Sequence, residues 1–169
     1  MSSRSAAGIL LALGATVLLG LFLRWHLAGA VGLFAEQFAH LRHVHTHLGF
    51  YGALLPLAWI AAAGDDNALP RFTAPIYALF VVLAQVGFAL SGYGVLAIAG
   101  STGVLGTWLV AAWRRRRLVK DGDGWLSGMP LALPIAAACI PAIAATLRKD
   151  PALSASMVQV FLSVLVLGV

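Results

Sequence analysis

The sequence predicts an all-α integral membrane protein, a bundle of about six transmembrane helices with a short interfacial helix before the second span. Hydrophobic residues make up 61% of the 169-residue chain and charged residues only 10%, against about 25% in soluble domains. The few charges leave uncharged windows of about 20 residues, the length that a helix needs to cross the hydrocarbon core. The strands of a membrane barrel would be shorter and would alternate in polarity, so helices are predicted.

We expect one polytopic domain over residues 1–169. Its predicted spans cover residues 5–23, 44–63, 72–91, 94–113, 125–147 and 152–169. The first span could also be a signal peptide, because Ala28-Gly29-Ala30 offers small residues for cleavage. Its apolar run is longer than a signal-peptide core, which favours a retained helix.

Three features predict how these spans begin, bend and end. Residues 25–41 mix Glu36 and Gln37 with aromatic and aliphatic residues, which is typical of an interfacial helix or an early extension of the second span. Pro56 lacks a backbone N–H and should kink that span. The run 91–94, Ser-Gly-Tyr-Gly, predicts a tight turn between the third and fourth spans.

The positive charge predicts orientation and no nucleic-acid binding. The net charge is +5, but Lys and Arg fall in short connections between apolar spans, where they act as topology determinants. Arg114–Arg117 with Lys120 places that loop, and by counting back the amino terminus, in the cytoplasm. We therefore predict a multi-pass protein of the cytoplasmic (inner) membrane, with the lipid bilayer as its first partner.

The histidines form the candidate functional cluster. All five lie before residue 48, at positions His26, His40, His43, His45 and His47. Ionisable groups beside a membrane segment are functional by default, and imidazole is the commonest metal ligand. Cys139 is the only cysteine, so no thiolate site is expected.

Helical spacing divides this cluster between two faces. Residues three, four or seven apart share a face, so His40, His43 and His47 form one stripe that Tyr51 continues, while His45 points to the opposite side. A Cu or Zn ion held by histidines from the set His40, His43, His45 and His47 is one interpretation, with His43 and His47 suitably placed at i, i+4. Because His45 and His47 cannot reach one ion from a regular helix, the two have different roles.

The run His45-Thr46-His47-Leu48, followed by Gly52 and Pro56, resembles the second transmembrane helix of subunit I of the haem-copper oxidase superfamily. It is most similar to divergent NnrS-like and oxidase-like bacterial membrane proteins. The resemblance covers about the first 60 residues. It implies a haem b cofactor.

The resemblance also implies roles for individual residues. His45 is the first candidate for an axial ligand of the haem iron and His47 the second. Tyr51 and Arg42 are available to a hydrogen bond or to a haem propionate. The superfamily's other ligands lie on later helices, but this chain has no histidine after His47. A second axial ligand would then come from a dimer mate, from a partner subunit, from further C-terminal sequence or from a residue such as Met129 or Met157, or there would be none.

Three functions follow from these patterns. The first is a membrane haem protein in electron transfer or in respiration that involves nitric oxide or oxygen. The second is a Cu- or Zn-binding or transport protein, and the third is a noncatalytic subunit of a larger membrane complex. The sequence has no nucleophile elbow, zincin motif or phosphate-binding loop, so we assign no catalytic residues and no autonomous enzymatic activity.

Overall fold

The computed structural model describes residues 3–63 and 73–118, together with residues 146, 150, 152–153, 156–160 and 163. Every element within these residues is helical, which confirms the predicted all-α class for this part of the chain. The order is α1 (Ser3–Leu27), α2 (Ala35–His47), a π-helical segment (Leu48–Leu54), α3 (Leu55–Ala63), α4 (Thr73–Ser91) and α5 (Val95–Leu118).

The end of α1 is closed by a glycine turn. Gly29 has a φ of +77°, a conformation that only glycine adopts without strain. Its N–H donates to His26 O at 3.0 Å, and the Ala30 N–H donates to Trp25 O at 2.9 Å. These two bonds satisfy carbonyls that the helix end would otherwise leave unpaired, and the chain can then turn towards α2.

The second helical region differs from the prediction of a separate interfacial helix. α2 starts at Ala35, where the Phe34 N–H donates to the Gln37 side chain at 3.2 Å, and it runs without a break into the π segment and α3. The polar stretch is therefore an extension of the next helical region, which was the other alternative. A seven-residue π-helix, Leu48–Leu54, lies just before Pro56, and the kink expected at that proline stays a prediction.

The predicted turn after the third span is confirmed. α4 ends at Ser91, Gly92 has a φ of +59°, and α5 starts at Val95. The Gly92 N–H donates to Phe88 O at 3.1 Å, which caps α4. α5 continues to Leu118, so it takes the run of four arginines into the helix instead of ending at residue 113.

Two helices in the described residues are long and apolar enough to cross a membrane, Ala6–Leu27 and Thr73–Ser91. The apolar part of α5, Val95–Ala111, is shorter, and the predicted span 44–63 is divided among α2, the π segment and α3. The predicted span 125–147 lies outside the described residues except for residue 146, and of the span 152–169 only helical residues 152–153, 156–160 and 163 are described. The fold thus establishes helices, and six spans stay a prediction.

Two compact units divide the chain, residues 1–68 with 81–97 and residues 69–80 with 98–169. In the second unit, the rings of Tyr77 and Trp108 meet edge to face at 5.1 Å, and Val104 and Leu105 are fully buried. The first unit contains every histidine. The prediction of one domain over the whole chain is not decided by this division.

In the first unit, α1 packs antiparallel against α2 and the π segment. The contacts run towards the start of α1 as they run towards the end of the π segment: Gly20 contacts His45, Thr16 contacts Gly49, and Ala12 contacts Gly52. A Cβ atom on Gly52 would lie 2.6 Å from the Ala12 Cβ, so only glycine allows this approach. This close packing brings the α1 backbone within reach of the histidine side chains.

Candidate functional site

His45 projects from α2 onto the backbone of α1. Its Nδ1 lies 2.9 Å from the carbonyl oxygen of Thr16. Because a carbonyl oxygen only accepts hydrogen bonds, Nδ1 must carry the proton and donate it. Nε2 then keeps the lone pair that a metal ion would use, an arrangement typical of metal-ligating histidines.

Gly20 makes room for this imidazole. A Cβ at position 20 would lie 2.8 Å from His45 Cε1, which is closer than carbon atoms approach one another. The Thr16 hydroxyl donates to Ala12 O at 2.8 Å within α1. It is the Thr16 carbonyl oxygen that accepts the proton of His45. The α1 backbone therefore determines where the ring of His45 lies and that its Nδ1 carries the proton.

A groove of about 470 Å³ lies between α1 and α2 beside this histidine. This volume is within the usual range of about 300–1,000 Å³ for small-molecule sites. The lining is mostly apolar, and its residues are Val17, Gly20, Leu21, Leu23, Arg24, Leu27, Phe38, Arg42 and His45. The groove thus combines an apolar lining with one imidazole.

Two arginines lie on the same side of the imidazole along the groove. Arg24 follows Gly20 by one turn of α1, and Arg42 precedes His45 by one turn of α2. Because the two helices are antiparallel, both displacements are towards the end of the groove at the α1–α2 connection. Both side chains are exposed and line the groove. The groove is thus apolar around His45 and cationic at one end.

On the opposite face of the helix, His47 is buried in an aromatic cluster. Its ring stacks on Phe88 at 4.1 Å with an interplanar angle of 8°, and on Tyr51 at 5.2 Å. Nε2 lies 3.2 Å from the Tyr93 hydroxyl. His47 is 7% exposed, and its Nδ1 finds no hydrogen-bond partner among the described residues.

His43 joins the same cluster one turn earlier. Its ring meets Tyr93 edge to face at 4.6 Å and Phe88 at 6.0 Å. Burial, and then the positive charges of Arg42 and His40, lower the pKa of His43 to about 4, so this ring is neutral near neutral pH. Burial also raises the pKa of the Tyr93 hydroxyl, which therefore keeps its proton.

The two remaining histidines lie elsewhere. The ring of His40 approaches Gly92, where an added Cβ would lie 3.1 Å from it. His26 Nδ1 lies 2.9 Å from Val31 O, and its ring packs on Phe38 at 4.9 Å. His40 thus packs against the turn after α4, and His26 stabilises the connection between α1 and α2.

The structure divides the predicted site residues between two places. His45 and Arg42 line the groove, whereas His47 and Tyr51 lie on the other face with His43, and His40 lies at the Gly92 turn. Within residues 3–63 and 73–118 and the few described beyond them, no three His, Cys, Asp or Glu side chains are grouped to hold a metal ion. The predicted Cu or Zn cluster is therefore not found in this part of the chain.

Three residues that the structure places against His45 or along the groove were missed from the sequence, namely Thr16, Gly20 and Arg24. They recur every four residues on one face of α1, a periodicity that is visible in the sequence. Thr16 and Gly20 were counted only as apolar-span residues, and Arg24 only as a topology charge. Nothing in the sequence indicates that this face of α1, and not another, meets α2.

Comparison with protein-family models, with curated proteins and with solved structures found no match. The function of this site must therefore be argued from its own geometry and from the motif on α2.

Proposed function

We propose that this chain is a membrane haem protein of the haem-copper or NnrS-like type, and that haem b binds in the groove between α1 and α2. The observation that carries the proposal is the bond from His45 Nδ1 to Thr16 O, which leaves Nε2 for the iron. In haem proteins a proximal histidine is commonly held in this way by a backbone carbonyl or carboxylate. The function that we assign is electron transfer or the handling of nitric oxide or oxygen.

The groove fits this cofactor at both of its ends. Val17, Leu21 and Phe38 offer apolar surface to a porphyrin, and Arg24 and Arg42 offer cationic groups to its two carboxylates. Gly20 lets the imidazole reach into this space without a clash. His47 and Tyr51 face away from it, so in this proposal His45 is the iron ligand and His47 supports the packing of α2.

His45 would hold the haem in this groove, and the cofactor would supply a one-electron redox couple and the capacity to bind a gas or a second imidazole. The described part of the chain lines the groove with a single imidazole. A second one would come from a dimer mate or from a partner subunit. A six-coordinate low-spin spectrum would favour electron transfer, and a five-coordinate high-spin spectrum would favour gas binding.

The proposal includes a multi-pass location in the cytoplasmic membrane, with about six spans. Two helices have the required length and composition, and α1 leaves large apolar side chains exposed, among them Leu10, Leu11, Leu18 and Leu21. An exposed apolar surface of this kind is unfavourable in water and normal against lipid. α1 also supplies Thr16 and Gly20 to the site, which supports its retention as the first span.

The first test is a visible spectrum of protein purified from haem-replete cells, oxidised and then reduced with dithionite. We expect a Soret band that is lost in His45→Ala and kept in His47→Phe, the matched control on the other face of the helix. A colourless wild-type protein would overturn the proposal. A Soret band lost only in the His47 variant would move the haem to the aromatic cluster.

The arginines allow a second test with haem dimethyl ester, which lacks free carboxylates. Charge-assisted hydrogen bonds contribute about 1.5–3 kcal/mol, so we expect the wild type to prefer haem to the ester by about ten-fold or more. Arg24→Gln and Arg42→Gln should each reduce this preference, whereas Arg114→Gln on α5, which is also exposed, should not. Equal affinity of the wild type for haem and ester would exclude the arginines as carboxylate ligands.

A further inference from the structure

Gln85 of α4 contacts the backbone of the histidine-bearing helix. In one orientation of its amide, Nε2 donates to Val44 O at 3.0 Å and Oε1 accepts from Leu48 N at 3.2 Å. This orientation pairs a donor with an acceptor at both ends, and the reverse orientation pairs none. The side chain thus bridges a carbonyl and an amide that lie one helical turn apart, on either side of His45.

The bridge lies where the α-helical pattern changes to a π-helical one. Leu48 is the first residue of the π segment, and its N–H donates within the helix to Val44 O and His45 O. The Val44–Leu48 pair is thus an α-helical hydrogen bond at the start of the π segment, whose turns contain one extra residue. Gln85 adds a second acceptor for this N–H and a second donor to this carbonyl.

The position of this junction determines which residues face α1. Each residue of a helix turns the chain by about 100°, so the loss of the extra π residue would rotate the two sides of the junction against each other by that amount. Gly52 contacts Ala12 on one side, and His45 contacts Thr16 on the other. Both contacts with α1 can exist together only while the π turn is held.

We infer that Gln85 is a positioning residue for the haem ligand: by bridging Val44 and Leu48 it holds the α-to-π junction, and thereby keeps His45 Nδ1 on Thr16 O. This inference rests on the proposed function for its role in haem binding, but the bridge itself is a property of the haem-free chain. It can therefore be tested without cofactor.

The experiment measures hydrogen–deuterium exchange of backbone amides in the haem-free full-length protein, with residue resolution at Leu48. Gln85→Met keeps the length of the side chain and removes both hydrogen bonds. The control is Ser91→Ala in the same helix, whose hydroxyl donates to Gly87 O of its own helix. The second readout is the ¹⁵N chemical shift of the His45 imidazole, which reports whether Nδ1 carries the proton.

We expect the Leu48 amide to exchange up to about ten-fold faster in Gln85→Met, because the side-chain acceptor that supplements its bonds to Val44 O and His45 O is lost there. The His45 resonances should move towards a mixture of tautomers, whereas Ser91→Ala should change neither readout. In the wild type itself, Leu48 should exchange as slowly as the amides in the middle of α1. Fast exchange at Leu48 in the wild type, or exchange and shifts unchanged in Gln85→Met, would overturn the inference.

The outcome is separate from that of the haem test. A colourless wild-type protein with a protected Leu48 amide would remove the proposed function and leave the bridge intact. A Soret band with an unprotected Leu48 amide would support haem binding and exclude Gln85 as the residue that positions its ligand. If both hold, Gln85→Met should weaken haem binding by about ten-fold, and Ser91→Ala should leave it unchanged.

Discussion

The imidazole of His45 donates its Nδ1 proton to the carbonyl oxygen of Thr16, 29 residues earlier in the chain, at 2.9 Å. This bond joins the first helix to the second and determines the tautomer of the histidine that faces the groove. It depends on Gly20, since any side chain at that position would occupy the space of the ring. The backbone of a neighbouring helix therefore orients the imidazole that we propose as the haem ligand.

Gly20→Ala should displace this ring. The added methyl group would lie 2.8 Å from His45 Cε1, and overpacking of this kind costs about 1–3 kcal/mol. Gly14→Ala is the matched control on the same helix, because a Cβ there meets nothing within 4 Å. That variant should be neutral or more stable by up to about 1 kcal/mol.

Thermal unfolding in one detergent, followed by circular dichroism at 222 nm, compares the two variants, and haem titration compares their sites. Gly20→Ala should be less stable than the wild type and should bind haem more weakly. Equal behaviour of the two alanine variants would show that the ring does not lie against Gly20.

Gly52→Ala tests the packing of the π segment on α1. The new methyl group would lie 2.6 Å from the Ala12 Cβ, and neither alanine can rotate away, so we expect a loss of about 1–3 kcal/mol. Ala12→Gly alone should cost about 1 kcal/mol of helix propensity. Combined, the two changes should cost less than their sum, because glycine at position 12 restores the space.

The measurement is a double-mutant cycle on the free energy of unfolding, with Gly106→Ala in α5 as a control, since a Cβ at that position contacts nothing within 4 Å. A coupling of about 0.5–3 kcal/mol is typical of residues in direct contact. Strict additivity would contradict the close approach of the two backbones.

The helical class, the glycine turn at Gly92 and the division of the histidines between two faces could be predicted from the sequence. Each depends on local composition or on the 3.6-residue period of one helix, which a single segment carries by itself. The interfacial helix was separated from the second span because its polar residues suggested a boundary. In the structure Gln37 instead caps the start of one continuous helical region at Phe34.

The groove could not be predicted in the same way. It requires Arg24 and Arg42 to lie at the same level of two antiparallel helices, and this level follows from the close approach of the two helices at their glycines. The π segment is similar. Pro56 indicated a bend, but it did not indicate the π segment Leu48–Leu54, which contacts α1 and whose first residue lies beside Gln85. Both features belong to the tertiary packing.

Tyr93→Phe should destabilise the aromatic cluster through His47. The Tyr93 hydroxyl lies 3.2 Å from His47 Nε2, and its removal would leave a second nitrogen of a buried imidazole unpaired. An unsatisfied buried polar group costs about 1–3 kcal/mol. In a His47→Phe background the same change should cost close to nothing, because no polar atom then depends on the hydroxyl.

The unfolding free energies of the four proteins in this second cycle decide the point. The haem spectrum of His47→Phe, taken in parallel, should match that of the wild type, since His47 faces away from the groove. An equal cost of Tyr93→Phe in both backgrounds would mean that the hydroxyl does not serve His47.

The predicted topology has a direct consequence for the groove, because it places the connection between α1 and α2 on the outer side of the cytoplasmic membrane. Gly32 lies in this connection, is exposed, and has no atom within 4 Å of an added Cβ. In a Cys139→Ala background, Gly32→Cys should therefore react with a membrane-impermeant maleimide in intact spheroplasts. Asp121→Cys, in the loop predicted to be cytoplasmic, should react only after the membrane is permeabilised.

The reverse pattern of labelling would invert the protein and place the arginine end of the groove at the cytoplasmic surface. The distinction matters for function, because carboxylates held by Arg24 and Arg42 would lie at whichever surface the connection occupies. With the expected orientation, a redox partner or a diatomic gas would reach the haem edge from the outer side. Labelling of Gly32→Cys from outside therefore tests the positive-inside assignment. It also identifies the side of the membrane from which a redox partner would reach the proposed site.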